Sequence, residues 1–208
     1  MLVVHHLNDS RSQRILWLLE ELNLPYEIKF YARDAVTRLA PPELTAVHPL
    51  GKSPVITDKG RTVAESGAII DYLIDTYGAG RLRPEPGSHD YIDSQHWLHF
   101  AEGSAMLPLM LALYTSRLGE AAAPLAPRIQ SEIANHLGYM DQHLEGKSYF
   151  VGDGLTGADI NNVFVLEAAS SAGRLAPYSN LSNYLAMMQA RPAYQRGLER
   201  GGVYALGT

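Results

Sequence analysis

The chemistry of this 208-residue chain must come from oxygen and nitrogen side chains, because it contains no cysteine. That removes a protein thiolate nucleophile, disulfide exchange, Fe–S clusters and Cys-ligated zinc. Gly51-Lys52-Ser53 looks like the end of a phosphate loop. The full pattern needs Gly five residues before Gly51, where Ala46 stands, and Pro54 disfavours a helix opening directly after the Ser. Gly152-Asp153-Gly154-Leu155-Thr156-Gly157 satisfies G-x-G-x-x-G after the strand-like Tyr149-Phe150-Val151. No second strand follows, and no acidic residue stands about 20 positions on. A capped helix start accounts for these residues better: Thr156 as N-cap, Asp159 bonding back to it, and Leu155 and Ile160 as a hydrophobic staple. His96, His99 and Glu102 suggest a metal stripe, but their spacing turns His96 and Glu102 roughly 120° apart on a helix, too far for one ion. No metal site is expected. His5 and His6 are adjacent on a strand and face opposite sides, and no G-x-S-x-G elbow is present.

One constellation remains. Ser10 lies between a strand and a helix, Ser53-Pro54 opens a strand, and Glu65-Ser66 opens a helix. The open end of a βα unit is a usual place for ligands, and a helix N-terminus attracts anions. Each of these residues taken alone reads more readily as an ordinary cap or turn.

The elements that would position them alternate in type up to about residue 80. Leu2–Leu7 is a β-branched and apolar run stopped by Asn8-Asp9-Ser10. Ile15, Leu18, Leu19 and Leu22 mark one face of a helix over Arg14–Leu24, ended by Pro25. Glu27–Tyr31 alternates as a second strand, completing a βαβ unit. Pro41–Pro49 leaves room for one helical turn, and Pro54–Thr57 and Thr62–Ala64 flank the turn Asp58-Lys59-Gly60-Arg61. Ser66 then opens a helix carrying Ile69, Ile70, Leu73 and Ile74. The Gly- and Pro-rich residues 79–88 read as a linker between a domain at 1–78 and a domain at 89–208. The second domain reads as all-helical: a long pattern over His89–Arg117 kinked at Pro108, then Pro124–Leu144, Gly157–Ala172, Tyr178–Ala190 and Pro192–Arg200.

The chain is 46% hydrophobic and 19% charged, which supports a packed core, and its net charge of −5 argues against a phosphate-backbone binder. No apolar run approaches the roughly 20 residues of a membrane span, and Met1–Ser12 lacks the pattern of a signal peptide. The expectation is a cytoplasmic protein with no nucleic-acid or membrane partner.

Leu7-Asn8-Asp9-Ser10-Arg11-Ser12, His48 to Ile56, Ala64-Glu65-Ser66-Gly67-Ala68-Ile69 and Gly157-Ala158-Asp159-Ile160 together resemble the cytosolic glutathione transferases, with a bacterial-looking, serine-type N-terminal motif. The resemblance runs from Met1 to about Arg200. It implies an α+β fold: an N-terminal thioredoxin-like βαβ(α)ββα domain followed by an all-α domain. It also implies a detoxifying transferase, a homodimer, and glutathione as co-substrate with no other cofactor. By resemblance, the Ser53 backbone pairs with the cysteinyl part of glutathione and Pro54 is cis. Glu65 takes the γ-glutamyl ammonium, Ser66 with its helix terminus takes the adjoining carboxylate, and Lys52 meets the glycine carboxylate. His48 stands where many relatives have Asn, and its role is left open.

With no cysteine in the chain, the reacting thiol must be the ligand's. Its pKa near 8.5 leaves about a few per cent ionised at pH 7, so a hydroxyl donating to the sulfur would activate it. Ser10 is the donor by its place in the family pattern, with Ser12 the alternative. The thiolate would attack a small apolar electrophile, or a hydroperoxide. The electrophile side would involve Met106, Met110 and Tyr114, spaced i, i+4, i+8, although core packing explains the two Met residues equally well. A non-catalytic relative that binds glutathione or a protein stays open as the alternative.

Overall fold

The computed structural model describes residues 1–207. In chain order its elements are β1 (Val3–Leu7), α1 (Ser12–Leu22), β2 (Glu27–Tyr31), a 3₁₀ turn (Pro42–Ala46), β3 (Val55–Asp58), β4 (Arg61–Ala64), α2 (Ser66–Tyr77), α3 (His89–Phe100), a π-turn (Ala101–Ala105), α4 (Met106–Thr115), a 3₁₀ stretch (Ser116–Ala122), α5 (Ala126–His143), α6 (Gly157–Ser171), α7 (Ser179–Gln189) and α8 (Pro192–Gly201). They form two compact units: residues 1–83 with the C-terminal segment from 188, and residues 84–187. The N-terminal unit has the thioredoxin-like arrangement, and no strand follows β4 among the described residues.

The first unit is built on a sheet of order β2-β1-β3-β4. β1 pairs parallel with β2 and antiparallel with β3, and β3 pairs antiparallel with β4. The β3–β4 hairpin closes through Lys59 and Gly60, both at positive φ, as a two-residue hairpin loop requires. α1 ends at Leu22, not Leu24: its C-cap Asn23 takes the left-handed conformation, and the Leu24 N–H returns to the Leu19 carbonyl at 3.0 Å.

Almost every side chain of α1 is buried, including Gln13, Arg14, Leu16 and Trp17 on the side away from its apolar stripe. The cause is α8. A Cβ on Gly197 would sit 3.0 Å from the Trp17 backbone N, and one on Gly201 would lie 2.9 Å from Leu16 Cδ1. Glycine at these two positions, one helical turn apart, lets the helix backbones approach closely. Charge reinforces the contact: Arg196 and Arg200 reach Glu20 at 2.9 and 3.0 Å, and Arg191 reaches Glu21 at 2.7 Å. The sequence pattern assigned α8 to the helical domain; its packing joins it to the sheet-bearing unit.

In the second unit the long pattern from His89 is interrupted by the π-turn, and α4 then runs through Pro108. Proline disturbs the turn before it, because it lacks an N–H and crowds the carbonyl four residues back, here that of Ser104. α6 braces this region: the Asn161 and Asn162 amides donate to the Leu98 and Trp97 carbonyls at 2.8 and 2.7 Å. The start of α6 is a capping box between Thr156 and Asp159. The fully buried Asp159 carboxylate accepts from the N–H of Phe150 and of Thr156 and from the hydroxyls of Thr156 and Tyr184, at 2.8–2.9 Å. Burial pushes its carboxyl up from the ordinary value, and these donors oppose that shift.

Candidate functional site

Sheet register gathers three loops at one end of the N-terminal unit. His5 of β1 faces Val55 at the start of β3, and Val55 faces Ala64 at the end of β4. The segment leaving β1, the segment entering β3 and the segment leaving β4 therefore converge, and they carry Ser10, Ser53 and Glu65.

The loop after β1 is tied from several sides. Asn8 accepts from the Arg33 N–H at 2.8 Å, and the Arg33 guanidinium donates to the Asn8 and Asp9 carbonyls. Asp9, at positive φ, pairs with Arg38 at 2.8 Å and accepts from the Ala205 N–H at 2.9 Å. Ser10 Oγ accepts from the Ser12 N–H at 3.2 Å, closing the turn that leads into α1.

A row of polar side chains runs inward from Ser10. Ser10 Oγ lies 2.8 Å from Ser12 Oγ and 3.5 Å from Ser53 Oγ, and Ser12 Oγ lies 2.9 Å from His6 Nδ1. Ser12 is fully buried, whereas Ser10 retains 4% exposure beside the half-buried Ser53. Ser10 is thus the outer hydroxyl and Ser12 the inner one. Ser53 Oγ donates to the His5 carbonyl at 2.9 Å. His5 and His6 do face opposite ways: His5 bonds Tyr31 at 2.9 Å, while His6 meets Ser12 and the edge of Phe30. Burial pushes the His6 pKa down; hydrogen bonding to the Gly201 backbone and the charge of Asp9 oppose the shift.

Before β3, Gly51 has φ 56°, and a Cβ there would approach Thr45 Cγ2 to 2.8 Å. A side chain at 51 would therefore be strained and crowded. Lys52 follows, exposed, and the Ser53–Pro54 peptide is cis. His48 is half-buried, and its carbonyl accepts from the Gly51 N–H at 2.8 Å. At the start of α2 it is Glu65, not Ser66, that occupies the N-cap position, with Ser66 the buried first helical residue. Glu65 is exposed and has φ 72°, an unfavourable conformation for a non-glycine residue and of the kind found at functional sites.

This end of the unit thus presents a hydroxyl row, an exposed carboxylate, an exposed ammonium and a helix N-terminus. That set complements an extended zwitterionic ligand bearing carboxylates and one ammonium. Within the helical unit, Met106 is buried, Met110 is half-buried and Tyr114 is 62% exposed. Leu107, Leu111 and Tyr114 form an exposed apolar stripe along α4. Sequence reasoning passed over His6, Arg33 and Arg38. Two adjacent histidines on a strand carry no spacing signal, and the arginines act by holding a backbone.

Residues 1–75 match the family described as glutathione S-transferase, N-terminal domain, and residues 103–192 match glutathione S-transferase, C-terminal domain. The chain is 36% identical to glutathione S-transferase 3 of Schizosaccharomyces pombe, covering 96% of this chain and 88% of that one. It is 32% identical to glutathione S-transferase 1 of Saccharomyces cerevisiae, covering 95% and 94%. Among solved structures, a glutathione S-transferase from Actinobacillus pleuropneumoniae superposes with a TM-score of 0.89 at 33% identity, covering 100% of this chain and 99% of that one. A sphingomonad glutathione S-transferase complexed with glutathione gives 0.82 at 25% identity, covering 97% and 99%.

Proposed function

Since the chain belongs to the glutathione S-transferase family and is a glutathione transferase, we propose that its Ser10 hydroxyl activates the thiol of bound glutathione. The observation that carries this reading is the position of Ser10 as the outer member of the hydroxyl row, beside Ser53. The Ser53 backbone pairs with the cysteinyl part of the tripeptide at the entrance to β3, with Pro54 shaping that entrance. Glu65 takes the γ-glutamyl ammonium, and Ser66 with the α2 N-terminus takes the neighbouring carboxylate. Lys52 meets the glycine carboxylate. Each pairing sets opposite charges, or a charge and a dipole, against each other.

The Ser10 O–H donates to the sulfur. That bond strengthens as the thiol ionises, so it favours the thiolate, which then attacks carbon or a peroxide oxygen. Ser12 donates less readily, because it is enclosed by His6, Leu7 and Ser10. The electrophile is small and apolar, received on the helical unit by Met110 and Tyr114, with Met106 packed behind them. Met suits such a surface because it adapts its shape. The protein works as a twofold homodimer in the cytoplasm, in detoxification. No helix among the described residues is long and apolar enough to cross a membrane.

The test is steady-state turnover of aryl halides, Michael acceptors and hydroperoxides with glutathione. Turnover in any class that Ser10→Ala reduces at neutral pH supports the reading. Full turnover in Ser10→Ala at every pH refutes it.

A further inference from the structure

The hydroxyl row does not end at Ser12. Its inner end is His6 Nδ1, 2.9 Å from Ser12 Oγ, and the imidazole also bonds the Gly201 backbone at the end of α8. We assign the proton to His6 Nε2, toward the Gly201 backbone that favours the charged imidazole, and this leaves Nδ1 with a lone pair. The direction of every bond in the row follows. Ser12 donates to His6 Nδ1, and its other hydroxyl acceptor, the Leu7 carbonyl, is farther away at 3.4 Å. Ser12 Oγ accepts from the Leu7 N–H at 3.3 Å and from the Ser10 O–H at 2.8 Å. Ser53 Oγ donates to the His5 carbonyl and could also accept from Ser10, but at 3.5 Å it is a much longer partner for that proton than Ser12 at 2.8 Å. In the free protein, the Ser10 proton therefore points inward and a lone pair of Ser10 faces outward.

We propose that Ser10, Ser12 and His6 form a proton relay that takes the proton of the bound thiol inward to His6. The inference rests on the reading that glutathione's sulfur sits at Ser10. As the S–H bond breaks, its proton joins Ser10 Oγ, the Ser10 proton passes to Ser12 Oγ, and the Ser12 proton passes to His6 Nδ1. The sulfur keeps the electron pair. A neutral thiol and a neutral imidazole become a thiolate and an imidazolium, with no change in net charge and no external base. All three hydroxyl-row bonds now point outward, so Ser10 donates to the new thiolate. The Gly201 carbonyl still accepts from Nε2 and supports the imidazolium.

Burial lowers the His6 pKa, so the imidazole is neutral in the free protein and takes a proton only together with the thiolate charge formed at the outer end of the row. It is 2% exposed, which keeps solvent from delivering the proton directly. β2 sets the edge of Phe30 against it, α1 sets Ser12, and α8 sets the Gly201 carbonyl. The charged group acting on it is Asp9, whose carboxylate favours the imidazolium. His6 touches neither substrate, so it is a positioning and relay residue rather than a catalytic one.

The decisive measurement is the charge state of His6 in the full-length wild-type protein, read from imidazole ¹⁵N shifts at about pH 7. The expected result is that saturating glutathione moves His6 to imidazolium shifts, while S-methylglutathione, which has no thiol proton, leaves it neutral. Calorimetry in buffers of different ionisation enthalpy should then find fewer protons released than thiolates formed. His6→Asn keeps an acceptor for Ser12 but cannot take the proton. It should restore one released proton per thiolate and raise the bound thiol's pKa by roughly one unit. A neutral His6 in a complex whose thiol has ionised, with the proton recovered in the buffer, overturns the relay and leaves Ser10's role standing. A bound thiol whose pKa is unmoved by Ser10→Ala overturns both. If His6→Asn does not fold, the shifts of the wild-type protein still decide.

Discussion

Ser10→Ala isolates the hydroxyl proposed to meet the sulfur, and the structure sets the expected size of its effects. In the free protein, Ser10 Oγ accepts from the Ser12 N–H at 3.2 Å and pairs with Ser12 Oγ at 2.8 Å. Losing the first is the loss of one side chain–backbone hydrogen bond, worth about 1 kcal/mol of stability. The loop should keep its course, because Arg33, Arg38 and the Ala205 N–H hold its backbone and Asp9 independently. In the complex the loss falls on the thiolate. A hydrogen bond to a charged group contributes about 1.5–3 kcal/mol, which at about 1.4 kcal/mol per unit moves the bound thiol's pKa up by about one to two units. Near neutral pH, kcat/KM should fall by about 10- to 100-fold and recover as pH rises. Glutathione affinity should change little, because the hydroxyl touches only the sulfur. The assay is thiolate absorbance in the ultraviolet against pH in the binary complex, paired with the pH profile of kcat/KM. Ser12→Ala should shift the same profile less, since Ser10 still donates. A Ser10→Ala titration that superimposes on wild type would refute the argument, and a full shift in Ser12→Ala alone would move the role to Ser12.

Further outcomes follow from the same geometry. Glu65→Ala should weaken glutathione binding by about 2 kcal/mol, or about 30-fold in Kd, and calorimetry showing unchanged affinity would exclude the ammonium pairing. Gly197→Ala places a Cβ 3.0 Å from the Trp17 backbone, which cannot yield as a side chain does, so the urea midpoint should fall by the equivalent of about 1–3 kcal/mol. Burial lowers the pKa values of His5, His6 and His143 in the folded chain. The unfolded chain therefore binds protons first as pH falls through about 6.5, and this part of the stability is complete above that value and lost below it. Denaturant midpoints that do not fall between about pH 7 and pH 5.5 would contradict the sign. The proposed homodimer should sediment near twice 22.8 kDa, and a monomer at micromolar concentration would remove it.

Local patterns in the sequence carried much of the fold. Alternation set β2, the i, i+3, i+4 stripe set the buried face of α1, and Thr156 with Asp159 marked the start of α6 three residues apart. Each of these features is decided by neighbours within a turn or two. The assignment of α8 was not legible in this way, because it depends on Gly197, Gly201 and the Arg196–Glu20 pair meeting a helix at the other end of the chain. Read along the sequence, two glycines in a helix are only a cost in propensity.

The same limit hid part of the site. Ser10, Ser53 and Glu65 stood out because each sits where one element ends and another begins. His6 sits inside β1 and gains its partners only when α1 brings Ser12 beside it and α8 brings the Gly201 backbone to it. Docking α8 on α1 is therefore more than a contribution to stability. Gly202, at φ 79°, ends the helix just after Gly201, and in the proposed relay the Gly201 backbone holds the His6 proton on Nε2. That tautomer sets the direction in which Ser12 and Ser10 donate. Gly201→Ala crowds this junction, with its Cβ close to Gln13 and Leu16 rather than to any ligand group. Its effect on the bound thiol's pKa would therefore have to travel through α8 and His6, whereas Gly197→Ala, one turn earlier, should cost stability with a smaller effect on ionisation.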